Sequence, residues 1–486
     1  MLCIFPLFKV VFFPTLMAPL SKIAVRRSYF CLSAFCLSAK SRLAVRLATS
    51  AFMVMLGSVA GCSLGEVATD TDTPLRSVSK TSNSVTVFGR LVGKEQANFE
   101  AAVRPFEEET GIDVIYECSE SFASLLRIRA GVLNFPDVVI ISQPGLMAEF
   151  VRSGDLVPLS DFMDRKDLRA AYSDSWLDLG MVDDETYAIW YRAAVKSLVW
   201  YRPSAFEAKG YDIPTTWEAL IALSDRIVSE GGTPWCIGIE SGAATGWTGT
   251  DWIEDIMLRT TGPEAYRQWV EHEMPFNAPP VVDAFDKFGQ FLLTPKYVCG
   301  SAAQTVNIPY RQSPLGLFDE PPSCYMHRQA SFISASFPAG KLPRVDYDIF
   351  PLPGIDARFG LPILVAGESI SMFNDTPESR ALMIYLASPE PHEISAQLGG
   401  FISPQKQVSP EAYSDIVNQR IAQILANADV IQFDGSDMMP AYVGTDTFWD
   451  GMIDFAQGKS AEAVTNEIEE TGSTSTQLRL SRSQAS

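Results

Sequence analysis

Four stretches decide the fold of this chain: VTVFGRL (85–91), ANFEAAVRPFEEETG (97–111), DVIYE (113–117) and FPDVVIIS (135–142). In the second stretch Phe99, Val103 and Phe106 recur at the spacing of one helix face. Gly111 follows as a typical helix stop. The run Val138–Ile141 is apolar without interruption, as in a strand that is buried on both faces. Strand and helix alternate, which predicts βαβ units on a largely parallel sheet.

The same alternation continues through the rest of the chain. Apolar runs on both sides of Arg192 read as strands, and Thr215 or Thr216 caps a helix that ends at Gly231. Further strands are expected at 234–241, 330–338 and 368–375, and further helices at 251–262, 277–293 and 377–390. The pattern predicts two α/β lobes, and ligands of such folds bind at the carboxyl ends of strands and in the cleft between lobes.

Charge is distributed unevenly along the 486 residues. Positions 1–61 carry seven basic residues and no acid, whereas the other 425 residues carry 31 bases against 58 acids, a net charge of −27. A surface that acidic repels nucleic acid and anionic lipid, so roles in binding either one are disfavoured. With 47% hydrophobic residues the chain can bury large cores.

The basic segment has the form of an export signal. Lys40, Arg42 and Arg46 precede the apolar stretch LATSAFMVMLGSV (47–59), which is too short for a comfortable membrane span. The next residues, ending in Cys62, resemble the lipobox of bacterial lipoproteins, in which the peptide is cut before a cysteine that takes a lipid. Residues 1–61 are therefore interpreted as a lipoprotein signal peptide, and the polar residues 62–82 as a disordered tether. An ordinary secretory signal with an incidental cysteine is the alternative.

Four cysteines remain beyond the lipobox: Cys118, Cys236, Cys299 and Cys324. Export to an oxidising compartment makes pairing plausible, and four cysteines allow three connectivities. The pairing of Cys236 with Cys324 is favoured. The sequence has no CxxC motif, which disfavours a redox function.

Several catalytic motifs are missing from the sequence. It contains neither GxGxxG nor GxxxxGK[ST], so nucleotide chemistry has no support. The single GxSxG match, at 61–65, lies at the processing site and has no strand before it. Three histidines without metal-ligand spacing argue against a zinc site, and no cofactor is expected. Paired carboxylates for glycoside hydrolysis remain open, because 58 acids always supply pairs.

The strings FEEETGIDVIYE (106–117), FPDVVII (135–141) and GLMAEFVRSGDLVPLSDFM (145–163) resemble the opening of family 1 extracellular solute-binding proteins, the sugar-capturing lipoproteins of ABC importers. The strings at 233–259, 324–333, 399–406 and 434–452 look like the subgroup that binds α-glucosides. In many relatives the loop after the second strand reads like GSRDF, with Arg and Asp touching the ligand. Here the loop is CSESF (118–122), so that ionic pair is absent and the sugar preference is expected to differ.

The resemblance implies a type II periplasmic-binding-protein fold, in which crossover strands join two lobes that close on a ligand. The first lobe would hold residues 83–192 and 328–375, and the second 193–327 and 376–475, followed by a flexible tail at 476–486. By the same likeness the protein is a binding protein and performs no catalysis. Its partners would be a carbohydrate and the subunits of an ABC permease, with the protein acting as a monomer outside the cytoplasm.

A sugar presents apolar C–H faces and a ring of hydroxyls. Its site therefore needs aromatic platforms and side chains that form bidentate hydrogen bonds. Residues of both kinds occur in the expected cleft loops. The candidates are Glu120, Gln143, Trp190, Tyr191, Glu240, Trp247, Asp251, Arg328, Phe337, Glu368, Asp437 and Trp449.

Each candidate has a structural alternative. An aromatic can belong to the core, and an acid can lie on a solvated face or cap a helix. Trp247 is the strongest candidate, because Gly246 and Gly249 beside it favour an exposed loop. The function expected is capture of an α-glucoside or short oligosaccharide for import. The alternatives are a lipid-anchored glycoside hydrolase and the same fold binding a solute other than a sugar.

Overall fold

The computed structural model of the chain describes residues 83–119 and 121–483, with side chains as far as Gly472. The expected signal peptide, the tether with Cys62 and the candidate Glu120 lie outside the described residues. Among the helices that the structure describes, none is both long and apolar enough to cross a membrane.

Strands and helices alternate through most of the described chain. The strands are β1 (Ser84–Gly89), β2 (Asp113–Cys118), β3 (Val138–Ile141), β4 (Met181–Val182), β5 (Glu185–Thr186), β6 (Ala188–Val195), β7 (Leu198–Tyr201), β8 (Met326–Arg328), β9 (Asp348–Pro351), β10 (Ile363–Met372) and β11 (Ile431–Phe433). The helices are α1 (Lys94–Thr110), α2 (Phe122–Gly131), α3 (Pro144–Arg152), α4 (Arg165–Ala171), α5 (Asp174–Asp178), α6 (Pro203–Lys209), α7 (Trp217–Ser229), α8 (Trp247–Val270), α9 (Pro279–Leu292), α10 (Ala302–Thr305), α11 (Pro377–Leu386), α12 (Pro389–Leu398), α13 (Ile416–Ala426), α14 (Gly435–Met438), α15 (Phe448–Ala456) and α16 (Ala461–Ser483).

The first lobe is built on β1, which pairs in parallel with both β2 and β3. Helix α1 packs on this sheet through Phe99, Val103 and Phe106, all buried, and ends at Gly111 with φ 69°, a left-handed conformation that glycine adopts without strain. All four residues of β3 are buried. The predictions made from these stretches are confirmed, because apolar periodicity and a buried run specify the helix and the strand directly.

Two long strands connect the lobes. β10 pairs antiparallel with β6 along most of its length. Its second half pairs with β3, whereas its first half pairs in parallel with β11. β6 continues through Lys196 and Ser197 into β7, which lies between β8 and β9 in the second lobe. Both pairings of β7 are antiparallel, so the second-lobe sheet differs from the parallel one expected.

The second lobe has its own core, formed by α7, α8, α9 and α15 around buried aromatic residues. Helix α7 begins as predicted, since the Thr216 side chain accepts a hydrogen bond from the Ala219 N–H at 3.1 Å. Two predicted strands are wrong. Residues 331–336 form a 3₁₀ helix, and residues 234–241 make only isolated bridges because they run between β8 and neighbouring loops.

Two parts of the expected domain division differ from the structure. The family likeness places α11 and α12 in the second lobe, whereas in the structure both helices pack on α1, and Leu382 and Leu386 share a core cluster with Val85. Helix α16 continues to Ser483 through the expected tail, since its first half is fixed by the burial of Val464 and Ile468.

Candidate functional site

A cavity lies between the two lobes at the carboxyl end of β1 and the start of α3. It has an outer chamber of about 440 Å³, lined by loop residues and by α2, and an inner chamber of about 70 Å³, lined mainly by buried residues. The chambers share part of their lining and are therefore adjoining parts of one cleft. The shared residues are Arg90, Gln143, Ala244, Tyr310, Arg311, Asp437 and Trp449.

The structure brings half of the twelve candidates to this cleft. Those lining one or both chambers are Gln143, Glu240, Trp247, Glu368, Asp437 and Trp449. They come from both lobes and from the crossover strand β10. Trp247 is the first residue of α8 rather than part of an exposed loop, because Gly246, with φ 117°, turns the chain directly into the helix.

The crossover aromatics belong to the core instead. Trp190 is 1% exposed and packs against Trp176 and Phe433, with ring centroids 5.1 and 4.9 Å away. The Tyr191 hydroxyl is hydrogen-bonded to the Ser395 hydroxyl at 2.7 Å. All eight residues of β6 are buried, so a side chain from this strand reaches the cleft only where the sheet opens towards it, as at Arg192.

Three other candidates are placed away from both chambers. Phe337 packs edge-on against Trp200, with ring centroids 5.2 Å apart. Asp251 and Arg328 are buried in a network of ion pairs, in which Arg328 donates to the Asp251 carbonyl at 2.8 Å and to the Asp255 carboxylate at 2.9 Å. None of the three lines either chamber.

Lys196 connects this network to the inner chamber. Its ammonium donates to Asp251 at 2.6 Å and also to Asp434, and it lies 5.3 Å from the centre of the Trp247 ring. Lys196 lies between β6 and β7, so one buried cation holds the crossover to α8 and to the loop before α14. Burial opposes its charge, but the two carboxylates outweigh burial and raise the pKa of Lys196.

The short helix α14 carries Asp437 into the cleft. The Asp434 carboxylate accepts the N–H of Asp437 at 3.0 Å, while the Glu254 carboxylate accepts the N–H groups of Gly435 and Ser436, each at 3.1 Å. Two buried carboxylates thus satisfy the free donors of this helix start. No described residue donates a hydrogen bond to the Asp437 carboxylate, which leaves its oxygens for a ligand.

Burial raises the pKa of every acid in this group, but the neighbouring charges decide the net shift. Burial opposes the ionisation of Asp434, but the Lys196 charge outweighs burial and lowers its pKa. Burial and the adjacent Asp434 charge raise the pKa values of Glu254 and Asp437 well above the usual range. Oxygens of Asp251, Glu254 and Asp434 approach one another as metal ligands would, but the Lys196 ammonium already bonds to two of these three carboxylates.

A second charged group lies at the inner end of the cleft. The Arg192 guanidinium donates to both oxygens of Glu368, at 2.6 and 2.8 Å, from the directly opposite position on the neighbouring strand. It also donates to Glu95 in the first turn of α1, at 2.6 Å. Arg311 of the second lobe reaches the other oxygen of Glu95 at 3.8 Å.

Sequence reasoning missed several cleft residues. These are Arg90, Glu95, Arg192, Lys196, Tyr310, Arg311 and Asp434. One signal was available: Arg192 and Lys196 interrupt an otherwise apolar crossover, and a charge inside a buried strand needs a partner. No local pattern marks Tyr310 and Arg311, because their loop has no regular structure.

A disulfide joins the loop that follows the 3₁₀ helix Ser313–Phe318 to the segment before α8. Cys236 and Cys324 are bonded, with Cα atoms 5.4 Å apart, which is the pairing favoured from the sequence. Cys118 and Cys299 carry free thiols. A buried disulfide of this kind persists in an oxidising compartment.

The chain is similar to a known protein family and to two characterised binding proteins. The model of the family described as bacterial extracellular solute-binding protein matches residues 92–310. The osmoprotective compounds-binding protein GgtB of Synechocystis sp. is 51% identical over 385 residues, covering 79% of this chain and 91% of that protein. The alpha-glucosides-binding periplasmic protein AglE of Rhizobium meliloti is 41% identical over 389 residues, covering 78% and 85%.

Solved structures show the same fold at lower identity. The bacterial solute receptor AcbH, described as preferring β-D-galactopyranose, superimposes with a TM-score of 0.70 at 20% identity, covering 80% of this chain and 98% of that one. Maltose-bound MalE3 of T. maritima gives a TM-score of 0.63 at 16% identity, covering 80% and 98%. These likenesses confirm the expected two-lobed type II periplasmic-binding-protein fold.

Proposed function

The chain belongs to the bacterial extracellular solute-binding proteins, and from that premise we propose that it captures an α-glucoside or short oligosaccharide in the cleft and delivers it to an ABC permease. Members of this family bind solutes outside the cytoplasm, and the relatives named above are binding proteins rather than enzymes. The ligand class, the anchor and the permease are parts of the proposal.

One observation carries the carbohydrate assignment: the cleft combines aromatic faces with polar groups that have no partner. The ring nitrogens of Trp247 and Trp449 and the hydroxyl of Ser142 are buried and form no hydrogen bond with a described residue. Beside them, the Asp437 carboxyl group accepts no hydrogen bond from any residue in the described part of the chain. Buried polar groups are nearly always hydrogen-bonded in folded proteins, so a set of unsatisfied ones around a cavity indicates a polar ligand.

The aromatic faces suit the other half of a sugar. Trp449 lines both chambers, and Trp247 lies against Tyr310 with ring centroids 5.0 Å apart. Indole faces bind the apolar C–H faces of a sugar while N–H and carboxylate groups bind its hydroxyls. A ligand that lacked one of these hydroxyls would leave a buried group unpaired, and the site would reject it.

We place the protein outside the cytoplasm as a monomer, anchored through a lipid on Cys62. The disulfide and the acidic composition support export, and the resemblance of residues 59–62 to a lipobox supports the anchor. A cleft that closes on its ligand needs no catalytic groups. The ligand shifts the equilibrium between open and closed states by its difference in affinity for the two.

A thermal-shift screen of the purified exported part tests the proposal. Maltose, trehalose, sucrose and maltotriose are compared with galactose, phosphate and spermidine, because a solute that binds only the folded state raises its apparent stability. We expect a shift with at least one α-glucoside. A shift only with phosphate or spermidine would refute the carbohydrate assignment, and conversion of a bound sugar into smaller sugars would refute the binding role.

A further inference from the structure

The inner chamber ends at a wall of charged side chains. Beyond it lies a side pocket of about 20 Å³, lined by residues of α1, β6, α12 and the adjoining loops. The inner chamber and the side pocket share Leu91, Glu95 and Arg192 and are therefore adjacent, with the hydrogen-bonded side chains of Glu95 and Arg192 between them. Resting on the proposed function, we propose that the Glu95–Arg192 pair is the end wall of the sugar site, against which one end of the bound ligand stops.

The wall is held on both of its sides. Arg192 makes three hydrogen bonds of 2.6 to 2.8 Å, two to Glu368 and one to Glu95, and its side chain is 8% exposed. A bidentate arginine pair inside a protein is geometrically fixed. The wall therefore does not yield to a ligand as a single mobile surface side chain would.

The size of the inner chamber limits what it accepts. Both volumes count the space that the centre of a water-sized sphere can reach. One water molecule needs about 10–15 Å³ of this space, so the 70 Å³ of the inner chamber corresponds to roughly five water positions. That space takes the leading edge of a single sugar ring with its hydroxyls, and the rest of the ligand extends into the outer chamber. The wall thus selects ligands with an unsubstituted end and sets the direction in which an oligosaccharide lies.

Singly methylated sugars test this wall. Maltose is compared with methyl α-maltoside, blocked at the reducing end, and with 4′-O-methylmaltose, blocked at the other end. One additional methyl group against a fitted site changes binding by roughly 10- to 200-fold. The wild type should bind one of the two ethers at least tenfold more weakly than maltose and the other within about threefold, and the weaker ether identifies the end at the wall.

Three variants separate the size of the wall from its charge. Glu95→Ala shortens the side chain and should remove the penalty against the blocked end, while Arg192 keeps its pair with Glu368. Glu95→Gln retains the length without the charge and should retain the penalty. Glu100→Ala alters an exposed acid of the same helix that lines neither chamber, and should behave as the wild type.

The result can contradict the wall and the sugar assignment separately. If the wild type binds both ethers as well as maltose, or if Glu95→Ala keeps the penalty while remaining folded, the wall is refuted and the proposed function stands. The wall is also refuted, and the proposed function stands, if the wild type binds other glucosides but neither maltose nor its two methyl ethers. If it binds no carbohydrate at all, the proposed function fails and the end wall fails with it.

Discussion

Replacing Lys196 by methionine should destabilise the fold strongly, because this lysine is the cation that two buried carboxylates share. Asp251 and Asp434 are 0% and 3% exposed at their side chains, and Lys196 is 4% exposed. Methionine has nearly the same length and volume, so packing is retained while the charge is lost. Breaking a buried ion pair costs about 3–5 kcal/mol. Here Asp434 loses its cation, while Asp251 keeps only the Arg328 guanidinium, at 3.4 Å.

The loss should depend on pH in a defined direction. In the wild type Lys196 lowers the pKa of Asp434, so this stabilisation is present at neutral pH and is lost as the pH falls through the acidic range. Without the ammonium, burial favours the protonated carboxyl, and folding of the variant gains stability as the pH falls. The difference in unfolding free energy between wild type and variant should therefore be larger at pH 8 than at pH 5.

Urea denaturation at both pH values measures this difference. Lys459→Met is the matched control, since Lys459 also bonds to two carboxylates, Asp454 at 2.8 Å and Glu467 at 2.6 Å, but at the surface. Solvent screens ion pairs at the surface, so the free energy of unfolding of the control should be close to that of the wild type. A Lys196→Met protein that is no less stable than the control, or whose deficit grows at pH 5, would show that the network does not stabilise the fold as argued.

Three further predictions concern the cleft, the disulfide and the buried histidines. Trp449→Ala should raise the Kd for the bound sugar at least tenfold, whereas Trp269→Phe in the second-lobe core should leave it within threefold, as titration calorimetry can show. Cys324→Ser removes a crosslink that spans 88 residues, and it should lower the free energy of unfolding, measured by urea denaturation, by about 4–5 kcal/mol. A reductant should lower the free energy of unfolding of the wild type by the same amount. Burial lowers the pKa of His392 to about 4, so stability should fall between pH 6.5 and 4, and His392→Asn should weaken that fall in melting temperature.

Periodic and capped segments were predictable because their local signals agree with their environment. Thr216 caps α7 as its sequence position indicates, and the buried run of β3 lies in the middle of its sheet. The stretch at 330–338 alternates polar and apolar residues, yet residues 331–336 form a 3₁₀ helix. It follows β8 directly, and no local rule shows that the chain leaves the sheet after Arg328.

The candidate site was predictable in part, at six aromatic, acidic or amide side chains that line one or both chambers. Trp247 and Asp437 lie beside turns that the sequence marks, and both reach the cleft. Trp190 is also a candidate from the sequence, but its strand is buried on both faces, and a sequence does not show which side of a buried strand meets a cavity. Glu95 was missed for a different reason, since its role depends on Arg192, which is 97 residues away in the chain.

The position of the ion pairs explains why charge is tolerated in this core. Apolar residues could fill the same space at similar or better stability, so buried charge needs a reason beyond stability. Here Lys196 fixes the crossover between the lobes to the helix start that carries Asp437, and Arg192 fixes β6 to β10 and α1. Directional hydrogen bonds hold these groups in one geometry, which apolar contacts do not specify. The buried charges therefore lie where the crossover meets the cleft, and they fix the positions of Glu368, Glu95 and the start of α14 relative to it.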